Sequence, residues 1–299
     1  MRFYFLLCFF SLSFSTLAQE LYLDDLFPAK AAVTETYAVK DGEALKLDIF
    51  QPAKDTARSR PLIIFMHGGG FAGGSRLNEA EVKFAQAAAK KGYVVALISY
   101  RLTRKEQSFG CDYKAAGKIE TFQKAAEDFM DAAQFLISKK EQYGIDPARI
   151  IAGGSSAGAE AVLNAVYNDA LMFANYETYE NVNFSGVFSL AGAIVDARYI
   201  TPKNAIPGVF FHGTDDNLVP YATAPHHQCD TNAPGYLILD GSKTITKKLK
   251  DLNSSYLLYS FEGGRHEHSG MPFQHLDAVF RFFKEAFFEG RRIQAEVLK

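Results

Sequence analysis

One short glycine-rich segment, Gly153–Gly158, constrains the fold of this chain more than any other part of its sequence. It reads Gly-Gly-Ser-Ser-Ala-Gly and lies between an apolar run at 150–152 and a helix-like run at 159–167. This order predicts a strand, a tight turn and a helix, with Ser156 exposed on the turn. Glycines at 154 and 158 allow the strand and the helix to pack closely around a strained serine. A Gly-x-Ser-x-Gly segment also arises by chance, so the interpretation depends on the rest of the chain.

Apolar segments alternate with helix-like segments along the remaining sequence. Residues 36–40 and 44–50 predict a hairpin around Asp41-Gly42. Further strand candidates are 62–66, 94–98, 149–152, 186–190, 208–211 and 256–261, and helix candidates are 78–91, 120–143, 157–167, 242–252 and 271–288. Most of the strand candidates are continuous apolar runs, typical of a parallel sheet with helices on both faces. We therefore predict an α/β fold in a single domain, residues 19–299, that binds ligands beyond the carboxyl ends of its strands.

Residues 1–18 have the pattern of a secretory signal peptide. Arg2 is followed by an apolar stretch and by a small-residue cleavage site at Thr16-Leu17-Ala18. The apolar stretch is too short to cross a bilayer as a helix. A lipoprotein signal using Cys8 is disfavoured, because this cysteine comes too early to leave a working apolar segment. We expect a periplasmic or secreted protein without stable membrane insertion.

The net charge restricts the expected binding partners, and the cysteine content indicates the cellular compartment. The 299 residues carry a net charge of −2 at pH 7, which gives no reason to expect nucleic acid as a partner. Removal of residues 1–18 would leave only Cys111 and Cys229, an even pair in an oxidising compartment. We expect a disulfide between them, and two free buried thiols are the alternative.

A second glycine-rich turn, His67-Gly68-Gly69-Gly70-Phe71, follows the strand candidate at 62–66. The bare backbone of such a turn lets N–H groups approach a substrate oxygen, which is how an oxyanion hole is built. We assign this role to Gly69 and Gly70, with the N–H of Ala157, the residue after the serine, as a third donor. A phosphate-binding loop is disfavoured, because it would end in Lys-Ser or Lys-Thr and Phe71-Ala72 follows here.

A serine nucleophile needs a base, and the base needs a carboxylate that orients it. The strand candidates at 208–211 and 256–261 are followed by Asp215-Asp216 and by His266-Glu267-His268. Both groups leave the carboxyl ends of strands, where the sheet would direct them at Ser156. We favour Asp216 over Asp215, which is a candidate helix cap, and His266 over His268 because of the Gly-Gly-x-His spacing.

The other histidines, at 226, 227 and 275, are interpreted as packing or surface residues. A zinc site that combines some of them with His266 and His268 is disfavoured. The spacing of His266 and His268 suits a strand better than a helix, and no thiolate pair accompanies them. We therefore expect no metal.

Taken together, these motifs resemble those of the α/β-hydrolase esterases, of the carboxylesterase and hormone-sensitive-lipase-like kind. The matching segments are His67–Phe71, Ser99–Leu102, Gly154–Gly158, His212–Pro220 and Gly263–His266. The resemblance extends over residues 37–288 and implies an eight-stranded sheet with an antiparallel first pairing, no cofactor and hydrolysis of carboxylic esters. It implies a triad of Ser156, His266 and Asp216, with Tyr100 and Arg101 as structural neighbours. No long insertion precedes Asp216, so we expect no large cap and an open site with walls from 103–118, 168–183 and 221–241.

The leading hypothesis is a secreted serine esterase that acts through an acyl-enzyme on short-chain or carbohydrate-linked acyl esters. Its partner would be a small-molecule or polysaccharide-linked ester. Because the histidine base must be neutral, we expect activity at neutral or mildly alkaline pH. The alternatives are a peptidase or an acyl transferase with the same triad, a non-catalytic binding protein on the same fold, and a structural envelope protein. The presence of all three triad residue types favours an enzyme.

Overall fold

The computed structural model describes residues 20–299, so the predicted signal peptide at 1–18 lies outside the described residues. Twelve strands lie within this range. In chain order they are β1 (Val33–Lys40), β2 (Glu43–Phe50), β3 (Arg60–Met66), β4 (Val94–Ile98), β5 (Ile145–Ser155), β6 (Gly186–Leu190), β7 (Ala193–Ile194), β8 (Gly208–Gly213), β9 (Thr223–Pro225), β10 (Ile238–Gly241), β11 (Tyr256–Phe261) and β12 (Gln294–Leu298).

Nine of these strands form one large sheet in the spatial order β1-β2-β4-β3-β5-β6-β8-β11-β12. Strand β2 runs antiparallel to both of its neighbours, β1 and β4, and the other pairings are parallel. The remaining strands form a small antiparallel sheet in the order β7-β10-β9. The predicted mainly parallel sheet with an antiparallel first pairing is therefore confirmed.

The large sheet has nine strands and not the expected eight, because β12 adds a parallel strand beside β11. Along β12, exposed and half-buried residues alternate. An edge strand at the surface does not need the continuous apolar run by which the inner strands are recognised in the sequence. The strands β7, β9 and β10 have only two, three and four residues, which is too short for a recognisable periodic pattern, and they were not predicted.

The described residues also contain seven α-helices. They are α1 (Glu79–Lys90), α2 (Ala115–Ser138), α3 (Lys140–Tyr143), α4 (Ala157–Tyr167), α5 (Asp169–Met172), α6 (Ser242–Asp251) and α7 (Leu276–Phe282). A π-helical turn at Phe283–Phe288 continues α7, and short 3-10 turns include His226–Gln228 and His266–Ser269. Each predicted helix is present, although the one predicted at 120–143 is divided into α2 and α3. Among residues 20–299, no helix combines the length and the apolar character that crossing a bilayer requires.

The large sheet is covered on both faces by separate apolar clusters. In β3, Leu62, Ile64 and Met66 pack with α2, α4 and α6 on one face. Ile63 and Phe65 point the other way and pack with α1 and α7. This double burial is why β3 reads as an unbroken apolar run. Strands β3, β5, β8 and β11 run in the same direction, so the segments that follow them meet at one edge of the sheet.

Candidate active site

Ser156 stands on the tight turn between β5 and α4. Its backbone has φ 50° and ψ −123°, a region that is costly for a residue with a side chain. A Cβ atom on Gly158 would collide with the carbonyl oxygens of Met66 and His67. Glycine at position 158 therefore allows α4 to begin directly against the end of β3, and the turn presents Ser156 at the carboxyl edge of the sheet.

The predicted base and acid lie in hydrogen-bond contact with this serine. Ser156 Oγ is 2.7 Å from His266 Nε2, and His266 Nδ1 is 2.7 Å from Asp216 Oδ2. Because a carboxylate only accepts hydrogen bonds, Nδ1 carries the imidazole proton and Nε2 is free to accept the serine proton. The structure thus brings Ser156, His266 and Asp216 together from three segments that are far apart in the sequence.

Asp215 and His268, the alternatives to Asp216 and His266, make other contacts. The Asp215 carboxylate contacts the hydroxyl of Thr214, at 3.3 Å, instead of the histidine. The His268 ring stacks on Phe261, with 3.8 Å between ring centroids and 7° between planes. Both geometries therefore favour the neighbours, Asp216 and His266, that the sequence analysis preferred.

Asp216 is held by several donors at once. Its Oδ1 atom accepts the backbone N–H groups of Leu218 and Val219, at 2.9 and 3.0 Å, so Asp216 itself caps the turn that follows. The buried His212 lies with its Nε2 atom 3.4 Å from Oδ2. Burial alone would raise the pKa of Asp216, but hydrogen bonds from His212 and His266 bring that pKa well below its usual value. The carboxylate therefore stays ionised beside the histidine.

The glycine turn after β3 forms one wall of the same cavity. Gly69 has φ +124°, and a Cβ atom there would meet the backbone of Gly73, so this position requires glycine. Neither Gly69 nor Gly70 donates its backbone N–H to another described residue. Ala157 is the first residue of α4, where the N–H groups have no partner within the helix. All three predicted oxyanion donors line the cavity together with Ser156 and His266.

This cavity has a volume of about 520 Å³. Of the expected walls, 103–118 contributes Phe109 and 221–241 contributes His227. The expectation for 168–183 was wrong: residues from this segment line a separate cavity with Arg198 and Tyr199. A further wall, which the sequence patterns did not predict, is formed by residues of the segment 74–81 and by Ser269–Met271. Loop walls depend on tertiary packing, which local sequence patterns do not encode.

Two further polar residues, Glu160 and His227, line the cavity although the sequence patterns did not assign them to it. Glu160, one turn after Ser156 on α4, lines the cavity, and its Oε1 lies 3.2 Å from His226 Nε2. Burial raises the pKa of Glu160 and lowers that of His226, which favours the neutral form of each. His226 packs edge-on against Phe109, as a packing residue would. His227, assigned to packing or the surface, lines the cavity instead.

A disulfide joins Cys111 to Cys229, with Cα atoms 5.3 Å apart. Each cysteine lies two residues after a residue of the cavity wall, Phe109 on one loop and His227 on the other. The rings of Phe109 and His227 are themselves 6.1 Å apart. The bridge therefore connects the two loops that form this side of the cavity. Among the described residues, no cluster of three or more His, Cys, Asp or Glu side chains is suited to hold a metal ion.

The model of one protein family, BD-FAE, matches residues 47–197, half of the chain. The chain belongs to the BD-FAE family. The range that matches the BD-FAE model contains Gly69, Gly70, Ser156 and Ala157, whereas Asp216 and His266 lie beyond it.

Comparisons with individual proteins agree with the family. Gut esterase 1 of Caenorhabditis elegans is 31% identical over 141 residues, which are 47% of this chain and 24% of the worm protein. Ethyl acetate hydrolase of Pseudomonas putida is 28% identical over 120 residues, 40% of this chain and 33% of that protein. The chain thus spans only a quarter to a third of the length of these curated relatives.

Among solved structures, esterase 2 of Thermogutta terrifontis, in a form phosphorylated by paraoxon, superposes with a TM-score of 0.64 at 20% identity. The match covers 86% of this chain and 95% of the esterase. At this identity the likeness shows the fold alone. This member of the BD-FAE family has the α/β-hydrolase fold of the esterases.

Proposed function

We propose that this protein hydrolyses carboxylic esters through Ser156, His266 and Asp216. The observation that carries the proposal is the pair of 2.7 Å contacts that connect the serine hydroxyl, the imidazole and the carboxylate on a strained strand–helix turn. The BD-FAE family and the names of the relatives, an esterase and an ethyl acetate hydrolase, support an ester as the bond that is cleaved.

The reaction begins when His266 Nε2 takes the Ser156 proton as Oγ attacks the ester carbonyl carbon. The N–H groups of Gly69, Gly70 and Ala157 stabilise the negative oxygen of the tetrahedral intermediate. His266 then gives its proton to the leaving alcohol, and Ser156 keeps the acyl group. Water attacks this acyl-enzyme with His266 again as base and releases the acid. Asp216 stays ionised and stabilises the imidazolium that forms in each half of the reaction.

We further propose short-chain or carbohydrate-linked acyl esters as substrates and export of the protein to the periplasm or the medium. In this proposal residues 1–18 are a signal peptide and residues 19–299 are the catalytic domain. A cavity of about 520 Å³ with both apolar and polar walls supports a small acyl group. The Cys111–Cys229 disulfide supports export, because disulfides persist in oxidising compartments.

The test is hydrolysis of p-nitrophenyl acyl esters, from acetate to decanoate, by the purified protein and by Ser156→Ala. A matched control is Ser185→Ala, since the Ser185 hydroxyl also makes a single hydrogen bond, to the Ala148 carbonyl at 2.9 Å, but lies before β6 and away from the cavity. We expect turnover by the wild type and by Ser185→Ala, no turnover by Ser156→Ala, and a decline for long acyl chains. Turnover retained in Ser156→Ala would exclude this serine as the nucleophile. Amide cleavage without ester cleavage would instead favour a peptidase.

A further inference from the structure

One wall of the catalytic cavity carries a carboxyl group that the proposed mechanism does not use. Glu81 lies in the first turn of α1 and lines the cavity. The residue is only 7% exposed, and its Oε2 atom is buried without a hydrogen-bond partner in the part of the chain that the structure describes. A buried polar group without a partner is rare in folded proteins, and its usual explanation is a water, an ion or a ligand that completes it.

The other carboxyl group in the cavity wall has a different environment. Glu160 faces His226 at 3.2 Å, and the charges of His227 and Lys118 also act on it. Glu81 has no such neighbour: burial alone raises its pKa, to about 7. Its chain neighbour Glu79, on the same helical turn, is exposed and pairs with Lys83 at 2.6 Å. The Oε1 atom of Glu160 is also buried without a hydrogen bond, but Glu160 has these imidazole and cationic neighbours. Glu81 is therefore the carboxyl group of this cavity that has neither a hydrogen-bond partner for its Oε2 atom nor such a neighbour among the described residues.

The surroundings of Glu81 restrict what that partner can be. The cavity also contains the apolar side chains of Phe65, Leu190 and Met271. Asn78 also lines the cavity, and its side-chain oxygen accepts the backbone N–H of Ala80 at 3.0 Å, so this oxygen caps α1. A ligand group that reaches the Glu81 carboxyl finds a buried acceptor atom without a partner, so a group with an O–H or N–H donor gains a hydrogen bond that an alkyl group cannot make.

We propose that Glu81 is a specificity-determining residue that accepts a hydrogen bond from a hydroxyl or ammonium group on the substrate. This inference rests on the proposed ester hydrolysis and concerns the same cavity. Either group, the hydroxyl or the ammonium, would donate a hydrogen bond to the Glu81 carboxylate, but only the ammonium is charged. A glutamine at position 81 keeps an acceptor oxygen for a hydroxyl and loses the negative charge that favours an ammonium, whereas a leucine removes both.

The experiment compares kcat/KM by pH-stat titration for two sets of stable esters. In the first set the alcohol varies: the butyrates of ethanol, ethylene glycol and 2-(dimethylamino)ethanol. In the second set the acid varies: ethyl butyrate, ethyl 3-hydroxybutyrate and ethyl 4-(dimethylamino)butyrate. The enzymes are the wild type, Glu81→Gln, Glu81→Leu and the control Glu79→Gln, which removes an exposed carboxylate from the same turn. Thermal unfolding checks each variant, and Glu81→Ala replaces Glu81→Leu if the leucine variant does not fold.

In at least one set, we expect the wild type and Glu79→Gln to prefer a donor-bearing ester over the alkyl ester. We define the preference ratio as kcat/KM for the donor-bearing ester divided by kcat/KM for the alkyl ester. Glu81→Leu should lower that ratio roughly tenfold while the alkyl ester is still hydrolysed. If Glu81→Gln retains the ratio, the donor is a hydroxyl, and if it loses the ratio the donor is an ammonium. No donor preference in the wild type, or the same ratio in Glu81→Leu, overturns the inference. Failure of the wild type to hydrolyse any of these esters would contradict the proposed function instead.

Discussion

The hydroxyl of Ser155 donates a hydrogen bond to the backbone carbonyl of Ser269, at 2.8 Å. Ser155 directly precedes the proposed nucleophile, and Ser269 ends the short turn that begins with His266. One side chain thus connects the strand that presents Ser156 to the turn that presents its base. This contact holds the distance between the two reacting groups.

Removal of this hydroxyl in Ser155→Ala should therefore slow catalysis without weakening substrate binding. A hydrogen bond of about 1 kcal/mol corresponds to a decrease in kcat of roughly fivefold, with KM unchanged. Steady-state kinetics on p-nitrophenyl acetate would measure this. Ser185→Ala, which removes a similar bond at 2.9 Å far from the cavity, should keep wild-type kinetics. A rise in KM with constant kcat would show that Ser155 affects binding and not the position of the base.

Asp216→Asn should nearly abolish turnover, whereas Asp215→Asn should leave it close to the wild-type value. The amide at position 216 can no longer hold the His266 tautomer that has its proton on Nδ1, and it cannot stabilise the imidazolium. The corresponding change in serine proteases lowers kcat about 10⁴-fold, and we expect a loss of that order. Among the described side chains, Thr214 is the only one that hydrogen-bonds the Asp215 carboxylate. Equal effects of the two substitutions would contradict the assignment of the acid.

The inner strands and the proposed triad could be predicted from the sequence because each follows from a simple physical rule. Strands buried on both faces must be apolar throughout, which made β4, β6 and β11 recognisable with their observed ends. Residues that follow parallel strands meet at one edge, which brought Asp216 and His266 to Ser156. The edge strand β12 follows neither rule, since three of its five residues are exposed.

The residues of the cavity walls were harder to predict from the sequence, although the position of Glu81 could have been recognised. In α1 the buried positions are 81, 84, 85, 88 and 89, the spacing of one helix face. A carboxylate on an otherwise apolar face is the pattern that could have drawn attention to Glu81. The segment at 168–183 had no such signal, because the cavity that a surface segment lines depends on tertiary packing, which its local sequence pattern does not encode.

Loss of the Cys111–Cys229 disulfide should affect both stability and activity. The bridge closes a loop between residues 118 positions apart, so the chain-entropy model gives roughly 5 kcal/mol of stabilisation. Cys111→Ser/Cys229→Ser should therefore unfold at a lower urea concentration, and release of Phe109 and His227 should raise KM. The double variant in reducing agent serves as the control, because reductant should destabilise only the wild type. Unchanged unfolding of the reduced wild type would contradict this role of the bridge.

Glu81 should make the stability of the protein depend on pH in a direction opposite to that of a paired carboxylate. Burial raises its pKa from 4.5 to about 7, so between these values the folded state binds a proton that the unfolded state has lost. Stability is therefore retained below pH 4.5 and decreases as the pH rises towards 7, by about 3 kcal/mol at most. Glu81→Gln, which cannot ionise, should be more stable than the wild type at pH 8 but not at pH 4.

Urea unfolding at the two pH values measures this difference directly. Other groups titrate equally in both proteins, so their contributions cancel when Glu81→Gln is compared with the wild type at each pH. Glu79→Gln should show no such gain at pH 8, because Glu79 is exposed and its pKa is lowered by a hydrogen bond from Lys83. A stability difference between Glu81→Gln and the wild type that is the same at pH 4 and pH 8 would mean that the pKa of Glu81 is equal in the folded and unfolded states, which contradicts the prediction.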